Sequence, residues 1–227
     1  MIINFLIIIQ GIMKLIYEKE LSQISIGRKV AENFFEELEA QIETGFREFE
    51  YECTYNHKNI INNMKNSLKN IFLKLNLLYI NLQKQDLVGD MEFIYLSFLR
   101  SAILTNNDVY QLNMYDRKGR SSTVECVCRW DCIEIFQGFY NLKRDIETSF
   151  RKQMKIKEYV LDKRLIKLGE TMNEFAKPFI VDAIKQLAEA ELLWEDKLPV
   201  IMIGEFLDKS DEIIGGANGI LYNETGH

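Results

Sequence analysis

The stretch Cys132–Trp194, CIEIFQGFYNLKRDIETSFRKQMKIKEYVLDKRLIKLGETMNEFAKPFIVDAIKQLAEAELLW, is rich in helix formers and apolar at helical spacing nearly throughout. Leu161, Leu165, Leu168, Met172, Phe175 and Phe179 follow one another at alternating gaps of four and three, which places them on one stripe of a helix. Phe136, Phe139, Ile146, Phe150 and Met154 make a similar stripe before it, and Ile180, Ala183, Ile184, Leu187 and Ala190 make a third after it. Pro178 lies between the last two runs. A proline inside a helix removes one backbone donor and clashes with the preceding turn, so the pattern predicts a break or kink near Lys177 and two or three helical segments. Apolar spacing of this kind is the signature of core packing.

Working outward toward the N-terminus, Val30, Phe34, Leu38 and Ile42 recur at gaps of four with glutamates opposite, predicting an amphipathic helix to about Tyr51. Asn56 is placed to cap a second helix carrying Ile60, Ile61, Met64, Leu68, Ile71, Phe72, Leu75, Leu78, Tyr79 and Leu82, with Asn and Lys on its polar face. Met91–Leu104 is apolar on nearly all sides and reads as a central helix. At Thr105 the pattern changes. Asn106, Asn107 and Asp108 are turn residues, and Val109–Asp116 and Ser121–Trp130 read as a β-hairpin around Arg117, Lys118 and Gly119. Asp131 is placed to cap the helical stretch that follows. Beyond Trp194, Leu198–Leu207 reads as a buried strand pairing with the hairpin. The fold class expected is therefore α+β: a mostly helical bundle of five or six helices with a small antiparallel β-sheet, the hairpin near residues 109–130 plus a strand near 198–207.

The chain has 227 residues, which suits one domain with a substantial core. Residues 13–212 are expected to form it, and the Gly-containing stretch 213–227 to make a flexible tail. Met1–Ile12, MIINFLIIIQGI, is too short to span a membrane, which takes about 20 residues, and lacks the basic start and small-residue cleavage site of a signal peptide. It is expected to be an apolar arm outside the folded domain, and Lys14–Leu21 a short edge strand or, alternatively, a helical start. Four cysteines and a charged fraction of 27% fit a cytoplasmic protein with reduced thiols.

The formal net charge of −6 disfavours nucleic acid as a partner, because nonspecific binding needs clustered Lys and Arg. A basic central tract, Lys143–Lys167, lies between acidic segments and can neutralise itself against them or meet an acidic partner. Three sets of residues carry candidate chemistry. Cys126, Cys128 and Cys132, with Cys53 and His57, are the residue types that hold zinc, although Cys-x-Cys-x3-Cys departs from the usual spacings. Small buried core thiols explain the same pattern, so no cofactor is expected and zinc is the alternative; Cys132 at a helix start is the candidate reactive thiolate. Arg117, Lys118 and Arg120 on the hairpin turn are the candidate nucleic-acid contacts. Glu36, Glu39, Glu43, Glu205 and Asp208 are the candidate contacts to a basic protein partner.

The phosphate-loop, dinucleotide-binding, His-Glu-x-x-His and Gly-x-Ser-x-Gly motifs are not present. The expectation is a non-enzymatic cytosolic protein that binds a protein partner by occlusion or scaffolding, with an immunity or antitoxin protein as one form of it. A metal- or thiol-dependent small enzyme and a nucleic-acid-binding regulator are the alternatives, and no membrane partner is expected.

Overall fold

The computed structural model describes residues 28–152, 158–189, 198–206 and 209–215. The elements are α1 (Arg28–Tyr55), α2 (His57–Gln83), β1 (Phe93–Phe98), α3 (Arg100–Thr105), β2 (Tyr110–Tyr115), a 3-10 turn (Gly119–Ser121), β3 (Cys126–Trp130), α4 (Ile133–Arg151), α5 (Glu158–Glu189), β4 (Val200–Glu205) and β5 (Ser210–Ile214). The fold class is α+β, and the sheet is five-stranded and mixed, in the order β3-β2-β1-β4-β5. The arm at 1–12 and the strand at Lys14–Leu21 lie outside the described residues.

Four expectations are corrected. Met91–Leu104 is the central strand β1 followed by the short α3. An apolar run buried on both faces of a sheet has the same composition as a buried helix, and here Ile94, Leu96 and Phe98 alternate with Phe93, Tyr95 and Ser97. β4 pairs with β1, in parallel, and not with the hairpin, so the sheet is not purely antiparallel. Ile213 and Ile214, expected in the flexible tail, belong to β5 and are fully buried. Finally, α5 runs unbroken through Pro178. Pro178 and Glu174, whose carbonyl loses its i+4 donor, both face solvent, so the carbonyl left over is on the wet side of the helix. The expected two or three helical segments of this stretch are two, Ile133–Arg151 and Glu158–Glu189.

The chain divides into two compact units, one made of residues up to Asn56 with Gln137–Thr171, the other of His57–Phe136 with Met172 onward. The first unit is helical. Phe34, Leu38, Ile42 and Phe46 of α1 form the buried stripe that the four-residue spacing predicts, with Phe34 edge-on to Phe150 of α4 at 6.1 Å. Two glycines let α1 and α4 approach. A Cβ on Gly45 would lie 2.8 Å from Leu142, and one on Gly138 would lie 2.4 Å from the Phe49 ring. Gly45 and Phe49 thus meet Leu142 and Gly138 reciprocally, each large side chain seated over a residue that has none. Two cations of the basic tract are inside this unit. Lys143 is buried with Glu147 at 3.6 Å, and Arg164 is buried with Glu39 at 3.6 Å.

The second unit holds the sheet. Pairing registers put Cys126, Cys128, Trp130, Tyr110, Leu112, Met114, Ile94, Leu96, Phe98, Ile201 and Ile203 on one face. That face is covered by α2, by the start of α4 and by the C-terminal half of α5. The Cys126 thiol lies 3.5 Å from the Leu75 carbonyl, Phe136 packs against Phe98 and Tyr110, and the Tyr110 hydroxyl donates to Asn173 Oδ1 at 2.7 Å. Each large apolar side chain removed from water contributes about 1.5–3 kcal/mol, so this face is the main store of stability in the unit. On the other face Ser97, Gln111 and Asn113 are buried, with Gln111 donating to Asn113 at 2.9 Å, and Arg120 lies 4.3 Å over the Tyr95 ring.

Candidate protein-binding surface

Helix α2 sets up the surface in the second unit. Met64, Leu68, Phe72, Leu75 and Tyr79 turn inward at spacings of four and three and are buried. Trp130 Nε1 donates to Ser67 at 3.2 Å, which ties α2 to β3. Three apolar residues of the helix have no such seat. Leu73 and Leu77 stand on the Asn- and Lys-bearing face, 44% and 64% exposed, and Leu78, expected on the buried stripe, is 42% exposed. Three leucines within two turns of one helix are thus left against water.

Beside them runs a groove of about 550 Å³. Lys74 and Leu78 of α2 form one wall, Glu125 with Val127, Cys128 and Arg129 of β3 the other, and Asp108 and Gln111 complete it. β3 is an outer strand of the sheet, and its backbone makes ladder bonds to β2 on one side alone among the described residues. The groove therefore offers unpaired peptide groups, an apolar wall and charges of both signs, which are the components that recognise polypeptide.

The other candidate residues are distributed differently. Cys126 and Cys128 share the buried face of β3, and Cys132 lies at the start of α4 with φ +48° and no exposure. Burial holds the Cys132 thiol well above its ordinary range, which corrects the expectation of a reactive thiolate there. Burial likewise pushes Cys53 up to about 12, helped by Glu52 and Glu50, and Cys126 up to about 11, helped by Cys128. All four thiols are free. His57 is exposed and its ring lies 5.0 Å from that of Phe179. Among the described residues no three His, Cys, Asp or Glu side chains converge as a metal-binding set, so these five are not brought together as one.

On the connection between β2 and β3, Arg117 and Lys118 are exposed, but Arg120 folds back over Tyr95 and donates to the Ser210 hydroxyl at 2.8 Å. Asp116 organises this turn. Its carboxylate accepts from the Gly89 and Lys118 amides at 3.1 and 2.9 Å, and those two bonds hold it below the usual carboxylate range. The Gly89 carbonyl in turn accepts from Tyr79 at 3.2 Å and Gln83 at 3.1 Å.

Of the candidate partner contacts, Glu36 is exposed, Glu39 is engaged with Arg164, Glu43 pairs with Arg47, and Glu205 pairs with Arg100 at 2.5 Å. Asp208 lies outside the described residues. Asp131 does cap α4, accepting from the Ile133 amide at 3.3 Å.

Sequence reasoning missed Leu73, Leu77, Glu125 and Val127. The signal for the leucines was present as two apolar residues four apart on a face of Asn and Lys. No family model, curated protein or solved structure matches this chain. No described helix is long and apolar enough to cross a membrane.

Proposed function

We propose that this chain is a non-enzymatic, cytosolic protein-binding protein that acts by occluding or scaffolding a protein partner, a role that an immunity protein or an antitoxin also fills. The observation that carries the proposal is the exposure of Leu73, Leu77 and Leu78 within two turns of α2. Contiguous apolar surface on a folded unit marks contact with another macromolecule, because leaving it in water forfeits about 25 cal/mol per Å². The net charge of −6 disfavours nucleic acid as that partner. The buried, protonated thiols support a binding role over thiol chemistry, and their free state fits a reducing compartment.

The test is affinity capture from lysate of the source cells, with and without nuclease, using the natural chain and a Leu73→Glu/Leu77→Glu variant checked for native circular dichroism. The proposal expects a protein retained by the natural chain under both conditions and lost by the variant. Retention that is unchanged in the variant, or that disappears with nuclease, refutes it.

A further inference from the structure

The two outer strands of the sheet differ in how they meet a copy of themselves. β5 carries Asp211 and Glu212 side by side and exposed, so two β5 strands laid edge to edge bring acid to acid. That is the usual protection of an outer strand. β3 has no such guard. Its sequence from Val124 to Trp130 is VECVCRW, which is palindromic in chemistry about Val127. Turning this segment through a two-fold axis at Val127 gives an antiparallel pair in which Glu125 faces Arg129 of the second copy, Val127 faces Val127, and Cys126 faces Cys128. Both ionic pairs form together, because a two-fold axis generates each contact twice.

We infer that the β3 edge pairs with β3 of a second copy of this chain, joining two five-stranded sheets into one continuous sheet across a two-fold axis at Val127. Glu125 and Arg129 are both exposed and Val127 is half-buried; Val127 and Arg129 lie on the face of β3 away from the core, and Glu125 precedes the strand in the same alternation. Directly opposed side chains on one face of an antiparallel pair stand about 4.5–5.5 Å apart, within reach of an ion pair. The groove beside β3 leaves its outer edge accessible, and Leu78 and Lys74 on its far wall extend the contact beyond the strands themselves. Leu73 and Leu77 do not line the groove, whereas Leu78 belongs to both surfaces, and a dimer built through β3 presents Leu73 and Leu77 twice, which suits a scaffold.

The test is sedimentation equilibrium on the purified full chain over a wide concentration range, under reducing conditions so that no intermolecular disulfide contributes. The natural chain is expected to show a monomer–dimer equilibrium. Glu125→Arg places Arg against Arg, and Arg129→Glu places Glu against Glu, so each variant alone is expected to dimerise at least about tenfold more weakly. Mixing the two variants brings the arginine introduced at position 125 of one chain opposite the glutamate introduced at position 129 of the other, so an ionic pair replaces each repulsion and association recovers. High salt weakens the natural dimer. A natural chain that stays monomeric overturns the inference, as does a single-site variant that dimerises like the natural chain or a mixture of folded variants that fails to associate. Circular dichroism of each variant separates loss of pairing from loss of fold.

Discussion

Gly204 in β4 pairs with Ser210 of the antiparallel β5. A Cβ built there would lie 2.2 Å from the Lys209 carbonyl oxygen, 2.6 Å from Ser210 Cα and 2.9 Å from Ser210 Oγ. Two of those atoms are backbone, so no side-chain rotation relieves the contact. Gly204→Ala must move the β4–β5 connection by about 1 Å, and overpacking of this kind costs about 1–3 kcal/mol. The same displacement carries Ser210 away from Arg120, whose guanidinium donates to it at 2.8 Å. A hydrogen bond to a charged group contributes about 1.5–3 kcal/mol when well buried, and this one, partly buried, less. Alanine recovers about 0.5–1 kcal/mol over glycine in a strand. The balance is a loss of about 2 kcal/mol, read as a lower urea midpoint by intrinsic fluorescence and far-ultraviolet circular dichroism. Gly119→Ala is the control. Its φ of +55° is strained for alanine but nothing lies within 4 Å of the added carbon, so it should lose only the backbone penalty of about 1 kcal/mol. A Gly204→Ala protein within about 0.5 kcal/mol of the natural chain would refute the close approach of Gly204 to Lys209 and Ser210.

Two further outcomes are expected. Tyr110→Phe removes the donor to Asn173 in a fully buried setting and should cost about 1–3 kcal/mol, and in a double-mutant cycle with Asn173→Leu the two losses should not add, whereas full additivity would show that the 2.7 Å contact is not a bond. Burial raises the thiols of Cys53, Cys126, Cys128 and Cys132 and the phenols of Tyr79 and Tyr110, so the unfolded chain releases protons first as pH rises. Stability is then level below the ordinary thiol value of about 9 and falls with increasing pH above it, by up to about 1.4 kcal/mol per pH unit for each group. Urea midpoints measured from pH 7 to 11 check this. The decline should be shallower in Cys53→Ala, and a midpoint that rises with pH would contradict the burial of these groups.

The periodicity of α1, α2 and α5 was readable from residue spacing because a helix is satisfied locally, each turn bonding to the one before. The hairpin was readable for a similar reason, since Val124, Cys126, Cys128 and Trp130 alternate within one short segment. The inner face of β3 followed directly from that alternation. β1 was not readable. Phe93–Phe98 is apolar enough for either element, and its place at the centre of the sheet comes from β2 pairing along one edge and β4 along the other. The continuity of α5 through Pro178 depends on which side of the helix meets solvent.

The candidate surfaces divide the same way. Composition alone shows the acidic balance, the single interior histidine and the reduced-thiol pattern, because these are sums over residues. It cannot say that Cys132 is sealed from water, that Arg120 turns back onto Tyr95, or that Leu77 is left outside while Leu75 is buried. The chemical palindrome around Val127 was written in the sequence, yet it has meaning only because the tertiary structure puts β3 at the edge of the sheet. Local bonding made the elements legible from residue order. Exposure and strand order arise from contacts between residues more than a hundred positions apart, and only the folded chain decides them.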